Sequence, residues 1–251
     1  STRVCASNWP HAAGSVVSQK PGEINLHVTA AKGGITMEIV ATNPADYLRD
    51  IRITLPGGLC DDNPFRHAAS AQQCNGRRFL SYADHSESII FSPVFLDRLR
   101  AYSVLRFMDW MQTNKSPVQT WSQRNLVSNR TWTGSNGAPI EVMIELANRI
   151  NAHPWFTLPH QSDDAYAREF AQVVKTKLNP GLRIYVEHSN EVWNGQFAQH
   201  NFSVKQAAVQ SPAIDNTQYH ALRSRTLGGI FKDVLGSARV VTVLGAQAAN
   251  L

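Results

Sequence analysis

No apolar run in this sequence approaches the ~20 residues that a bilayer-spanning helix needs. The chain does not open on a basic-then-apolar leader either, so any export signal is expected to have been removed. A membrane span is therefore not expected. Clustered basic charge is also lacking. The formal net charge is +5, yet Arg77-Arg78 is the only adjacent basic pair, and nucleic-acid backbone binding needs several phosphate contacts side by side. No Gly-x-Gly-x-x-Gly follows a strand-like run, and no Gly-x-x-x-x-Gly-Lys-Ser/Thr occurs, which removes the common nucleotide-binding loops. No His-Glu-x-x-His, Cys-x-x-Cys or Gly-x-Ser-x-Gly is present, so zinc hydrolysis and nucleophilic-serine chemistry lose their usual signatures. No metal or cofactor is expected. Cysteine is scarce, at three residues, and charged residues make up 17%. With 43% hydrophobic residues, that is the balance of a globular chain able to bury a core.

What is present is periodic. Apolar and polar residues alternate in Ile24-Asn-Leu-His-Val-Thr and in Ile35-Thr-Met-Glu-Ile-Val, with Lys32-Gly-Gly between them, which predicts a β-hairpin. Ile51-Arg-Ile-Thr-Leu, closed by Pro56-Gly-Gly, predicts a further strand. A small β-rich segment is expected over residues 1–46. The polar segment from Cys60 to Cys74 has no strong helix or strand period and is suited to a crosslink, which fits export, with two free thiols as the alternative. Cys5 has no obvious partner.

From about residue 93 the pattern changes. Ser92-Pro begins a helix, Val104-Leu-Arg-Phe-Met reads as a strand, and a helix follows Pro139. Pro154-Trp-Phe-Thr-Leu is the next strand, residues 163–178 an amphipathic helix and Leu182-Arg-Ile-Tyr-Val-Glu another strand. One or two helices occupy residues 196–235, and Arg239-Val-Val-Thr-Val-Leu-Gly is the last strand. Strands separated by helices imply βαβ units and a mostly parallel sheet, since a parallel return needs a crossover; a doubly wound sheet and a barrel both fit.

Polar groups gather at three of the predicted strand ends: Arg106 with Asp109 and Trp110, then His160, then Asn190 and Glu191 with Trp193 and Asn194. Active sites of parallel barrels lie at C-terminal strand ends. Cleaving a glycosidic bond needs a carboxylic acid, donors for sugar hydroxyls and aromatic faces, and all three kinds occur here. Each residue has a plainer role as well. Glu191 could cap the following helix, Arg106 could form a structural ion pair with Glu187 or Asp109, His160 could bond a loop, and the tryptophans could be core.

The runs Leu105-Arg-Phe-Met-Asp-Trp-Met, Pro159-His-Gln and Tyr185-Val-Glu-His-Ser-Asn-Glu-Val-Trp-Asn resemble the clan A glycoside hydrolases, and within them a bacterial exported group often labelled cellulose-binding. The resemblance covers about residues 47–250. It implies a (β/α)8 TIM-type barrel over residues 47–251 with Glu191 as the catalytic acid/base. It further implies that Arg106, Asp109, Trp110, His160, Asn190, Trp193 and Asn194 bind a polysaccharide or oligosaccharide substrate in a secreted or periplasmic protein. In that clan the nucleophile is a Glu ending the seventh strand, and no residue here maps to it. The alternative is a carbohydrate-binding or structural protein that keeps the groove without cleavage. Only about the first five βα units are expected, at roughly 40 residues each, so an eight-unit barrel needs on the order of 120 more residues. A partner chain or a missing C-terminal part would then cover the open barrel edge.

Overall fold

The structure, a computed structural model, describes residues 3–7, 13–20, 23–29, 36–47, 49, 51, 53–129 and 131–247. It divides into two units, residues 1–54 and 55–251.

In the first unit, β1 (Arg3–Ser7) pairs antiparallel with β4 (Thr36–Ala41), and β2 (Ala13–Lys20) pairs antiparallel with β3 (Glu23–Thr29). The expected hairpin therefore has the right strands and the wrong partners. β3 takes the strand two residues upstream, because the shorter connection costs less closure entropy than the longer one to β4. The expected turn at Lys32-Gly-Gly lies outside the described residues. Residues 51–55 form no strand in the part that is described. Alternation supplies propensity, but a strand also needs a partner row of backbone, and Ile53 is instead 85% exposed.

The second unit opens with a three-stranded antiparallel sheet in the order β6 (Asn63–Ala68), β5 (Gly58–Cys60), β7 (Phe79–Ser81). The segment between Cys60 and Cys74 thus holds a strand where the sequence showed no period. A disulfide joins the two cysteines, tying β5 to the 3-10 turn that ends at Cys74.

Four parallel strands follow: β8 (Val104–Arg106), β9 (His153–Leu158), β10 (Ile184–His188) and β11 (Val240–Val243). Their spatial order is their chain order. The unit is α/β, and among the described residues the parallel strands number four rather than the five expected, since the described part of 51–55 forms no strand. No closed barrel is formed among the described residues.

Helix α1 (Pro93–Leu99) packs on β6, while α2 (Ile140–Ile150), α3 (Asp164–Lys177) and α5 (Asn216–Leu235) are the crossovers between consecutive parallel strands. Each starts and stops where the chain chemistry dictates. Asp163 caps α3 by accepting from Tyr166 N at 2.6 Å, Asp215 and Gln218 form a capping box on α5, and Asn151 in the left-handed conformation ends α2. The three crossovers bury one face of the sheet: Phe156, Leu158, Ile184, Val186 and Val240 share a core with Ile144, Phe170, Leu227 and Phe231. Gly228 of α5 is required there, since a Cβ would lie 2.2 Å from Thr242 Oγ1 of β11. The alternate strand residues Arg106, Trp155, Tyr185 and Glu187 turn to the other face. A further helix, α4 (Ala198–Ala208), lies between β10 and α5 in the chain and packs on α5.

Candidate functional site

The face of the parallel sheet turned away from the crossover helices carries a buried charge. Glu187 has a side chain 5% exposed, and its Oε2 accepts from Arg106 Nη2 at 2.9 Å, Arg106 Nε at 3.2 Å and Trp155 Nε1 at 2.8 Å. Register explains the cluster: Arg106 is aligned with Trp155 and Trp155 with Tyr185, so Arg106, Trp155 and Glu187 occupy one face on adjacent strands. The Arg106 guanidinium also lies over the Trp155 ring, 5.0 Å from its centroid. Burial pushes the Glu187 carboxyl above its ordinary range, against the opposing pull of Arg106 and Trp155. Glycine at 245 leaves room for its second oxygen, since a Cβ there would stand 2.8 Å from Glu187 Oε1.

Past the end of β10 the chain turns sharply. Ser189 and Glu191 both hold positive φ, 57° and 44°, a conformation that costs a non-glycine residue on the order of 1–3 kcal/mol and persists only where neighbours over-determine it. Those neighbours are visible. Arg106 Nη2 donates to Asn190 Oδ1 at 2.9 Å, and Asn190 Nδ2 donates to Asn114 Oδ1 at 3.1 Å. Gln199, fully buried on α4, donates from Nε2 to Asn114 Oδ1 at 2.7 Å and to the Asn190 carbonyl at 2.8 Å, and accepts from Lys115 N at 3.2 Å. The Asn190 carbonyl belongs to the peptide that joins Asn190 to Glu191. The half-buried Glu191 carboxylate accepts from Asn194 Nδ2 at 3.0 Å through Oε2.

The sequence-predicted residues thus separate into groups. Arg106 and Asn190 are bonded to each other, and Glu191 and Asn194 are bonded to each other, on the turn that follows Asn190. Of the two acids named as partners for Arg106, Glu187 is the one it pairs with; Asp109 is exposed in the turn after β8. Trp110 packs on Phe107 and Phe95 at ring distances of 5.6 and 6.4 Å, against the core, whereas Trp193 is exposed. His160 is buried beyond β9 with its ring edge-on to Phe202 at 5.2 Å, and its Nδ1 has no partner. Burial lowers its pKa to about 4.

Nearby, two buried histidines, His188 and His220, meet through their Nδ1 atoms. The Gly245 carbonyl can only accept, so His220 Nε2 donates to it at 3.1 Å, leaving His220 Nδ1 to accept from His188 Nδ1 at 2.9 Å. His188 Nε2 is buried on the far side of the ring from this contact. Burial, His220 and Arg223 hold His188 well below the ordinary histidine range. No group of three or more metal-ligating side chains with suitable geometry occurs among the described residues.

Sequence reasoning missed Asn114, Trp155 and Gln199. Glu187 had a signal, being a lone acid in an otherwise apolar strand; Asn114 and Gln199 had none, because they meet Asn190 only through the fold. No family model, curated protein or solved structure matches the chain.

Proposed function

We propose that this chain is the carbohydrate-acting part of a (β/α)8-type barrel, with Glu191 as acid/base in retaining hydrolysis of a polysaccharide. The observation that carries this reading is the presentation of Glu191: a partly exposed carboxylate just past the C-terminal end of a parallel strand, held in a left-handed turn by Gln199 and Asn194. The winding supports the barrel. Strands in chain order with their crossovers on one face continue naturally around a circle, whereas a doubly wound sheet reverses its order and is covered on both faces. The acid role needs Arg106 to be paired with an acid other than Glu191, and Arg106 pairs with Glu187. Export fits the Cys60–Cys74 disulfide and the lack, among the described residues, of any helix long and apolar enough to cross a membrane.

A second reading, carbohydrate binding without cleavage, is favoured by one observation. Retention needs a second carboxylate about 5–5.5 Å from the acid, and Glu187, on the sheet face turned away from the crossover helices, has Oε2 occupied by Arg106 and Trp155. Reducing-sugar release from a panel of β-linked polysaccharides separates the two readings. Release that is lost in Glu191→Gln supports hydrolysis. Retention on a polysaccharide column with no release, unchanged by Glu191→Gln, supports the binder and removes the acid/base role.

A further inference from the structure

A cavity of about 560 Å3 opens beyond β9, between residues 160–165, α4 and α5. Its walls include His160, Phe202, Gln206, Tyr219 and Arg223, and none of Arg106, Asn190 and Glu191 lines it. Its size falls within the range of small-molecule sites, roughly 300–1,000 Å3.

The charges in its wall are already committed. Arg223 Nη1 donates to Asp164 Oδ1 at 2.5 Å and Nη2 to the Ser162 carbonyl at 3.0 Å, which fixes the guanidinium plane and neutralises it. Asp163 is occupied as the cap of α3. His160 is uncharged at neutral pH, because burial lowers its pKa to about 4. An anionic ligand therefore meets no free cation, and it would approach the acidic start of α3. A neutral ring meets Phe202 and the largely buried Tyr219, with the Gln206 amide and the immobilised Arg223 as hydrogen-bonding groups beside them. Aromatic walls with a few fixed polar groups match a ring that has apolar faces and a hydroxylated rim.

We propose that this cavity is a binding site for a neutral, pyranose-sized sugar, separate from the turn that carries Glu191. It gives the protein a second carbohydrate contact whether or not the Glu191 site cleaves. The test is titration of the full chain with glucose, N-acetylglucosamine and glucuronate, followed by amide NMR and calorimetry. The neutral sugars should saturably shift resonances of residues 160–165, 202–206 and 219–223. Phe202→Leu and Gln206→Ala should each weaken binding about tenfold, the size of one lost hydrogen bond or ring contact, with folding checked by circular dichroism. Glu191→Gln should leave this binding unchanged even where it abolishes glycan cleavage. The proposal is overturned by tighter binding of glucuronate than of the neutral sugars or by the absence of saturable shifts. Binding that survives Gln206→Ala and disappears in Glu191→Gln would also overturn it, since it would place the sugar at the other site.

Discussion

Replacing Arg106 with Leu should destabilise the protein in a strongly pH-dependent way. Glu187 is 5% exposed and relies on Arg106 for two of the three hydrogen bonds at Oε2. Removing one partner of a buried pair typically costs 3–5 kcal/mol because an uncompensated charge is left behind. Arg106 is itself 33% exposed, so water can partly replace it, and about 3 kcal/mol at pH 7.5 is the working value. The sign follows from linkage. Burial already raises the Glu187 carboxyl above its unfolded value, so the folded state binds its proton more tightly than the unfolded state, and stability falls as pH rises between the two values. Without Arg106 the folded value rises further, and the window widens upward. Denaturant midpoints of wild type and Arg106→Leu should nearly coincide at pH 4 and diverge steadily to pH 7.5. Adding Glu187→Gln should restore most of the loss at pH 7.5, since no charge remains to be stranded. A destabilisation equal at both pH values, or one that Glu187→Gln leaves untouched, would show that Arg106 acts through packing on Trp155 rather than through charge.

Gln199→Met should accelerate exchange of the Lys115 amide about tenfold, since its acceptor is lost, and should reduce any activity through kcat more than KM; unchanged exchange refutes the clamp. His160 is neutral in the folded protein down to about pH 4 and titrates near 6.5 unfolded, so its contribution is complete above pH 6.5 and lost as pH falls toward 4. The loss is about 3 kcal/mol, and His160→Gln should flatten the acid limb of the stability profile; an unchanged limb counts against it. Replacing Cys60 and Cys74 together with Ser should cost about 3 kcal/mol, the closure entropy of a loop of about 15 residues; an unaltered melting temperature would show that the disulfide constrains little.

The sequence by itself determined the elements whose signals are local. Helices α2 and α3 and strands β9 and β10 fall where apolar spacing and caps such as Asp163 place them, because period and capping depend on neighbours within a few residues. The disulfide was legible from spacing and polarity, and the strand-end placement of Asn190 and Glu191 from the end of an apolar run. Only the tertiary structure decided which strands pair. β3 joins β2 rather than β4, and the described part of residues 51–55 forms no strand despite its alternation, since pairing is a contest between partners that one segment's pattern does not contain. It alone brought Gln199 to Asn190 and Arg106 to Glu187 across 9 and 81 positions of chain. It also packed the His160 ring against Phe202 in the wall of a cavity that Arg106 does not line, although both residues stand at strand ends in the sequence. The reason is geometric: successive side chains point to opposite faces, and beyond the last paired residue the turn, not the period, sets the direction.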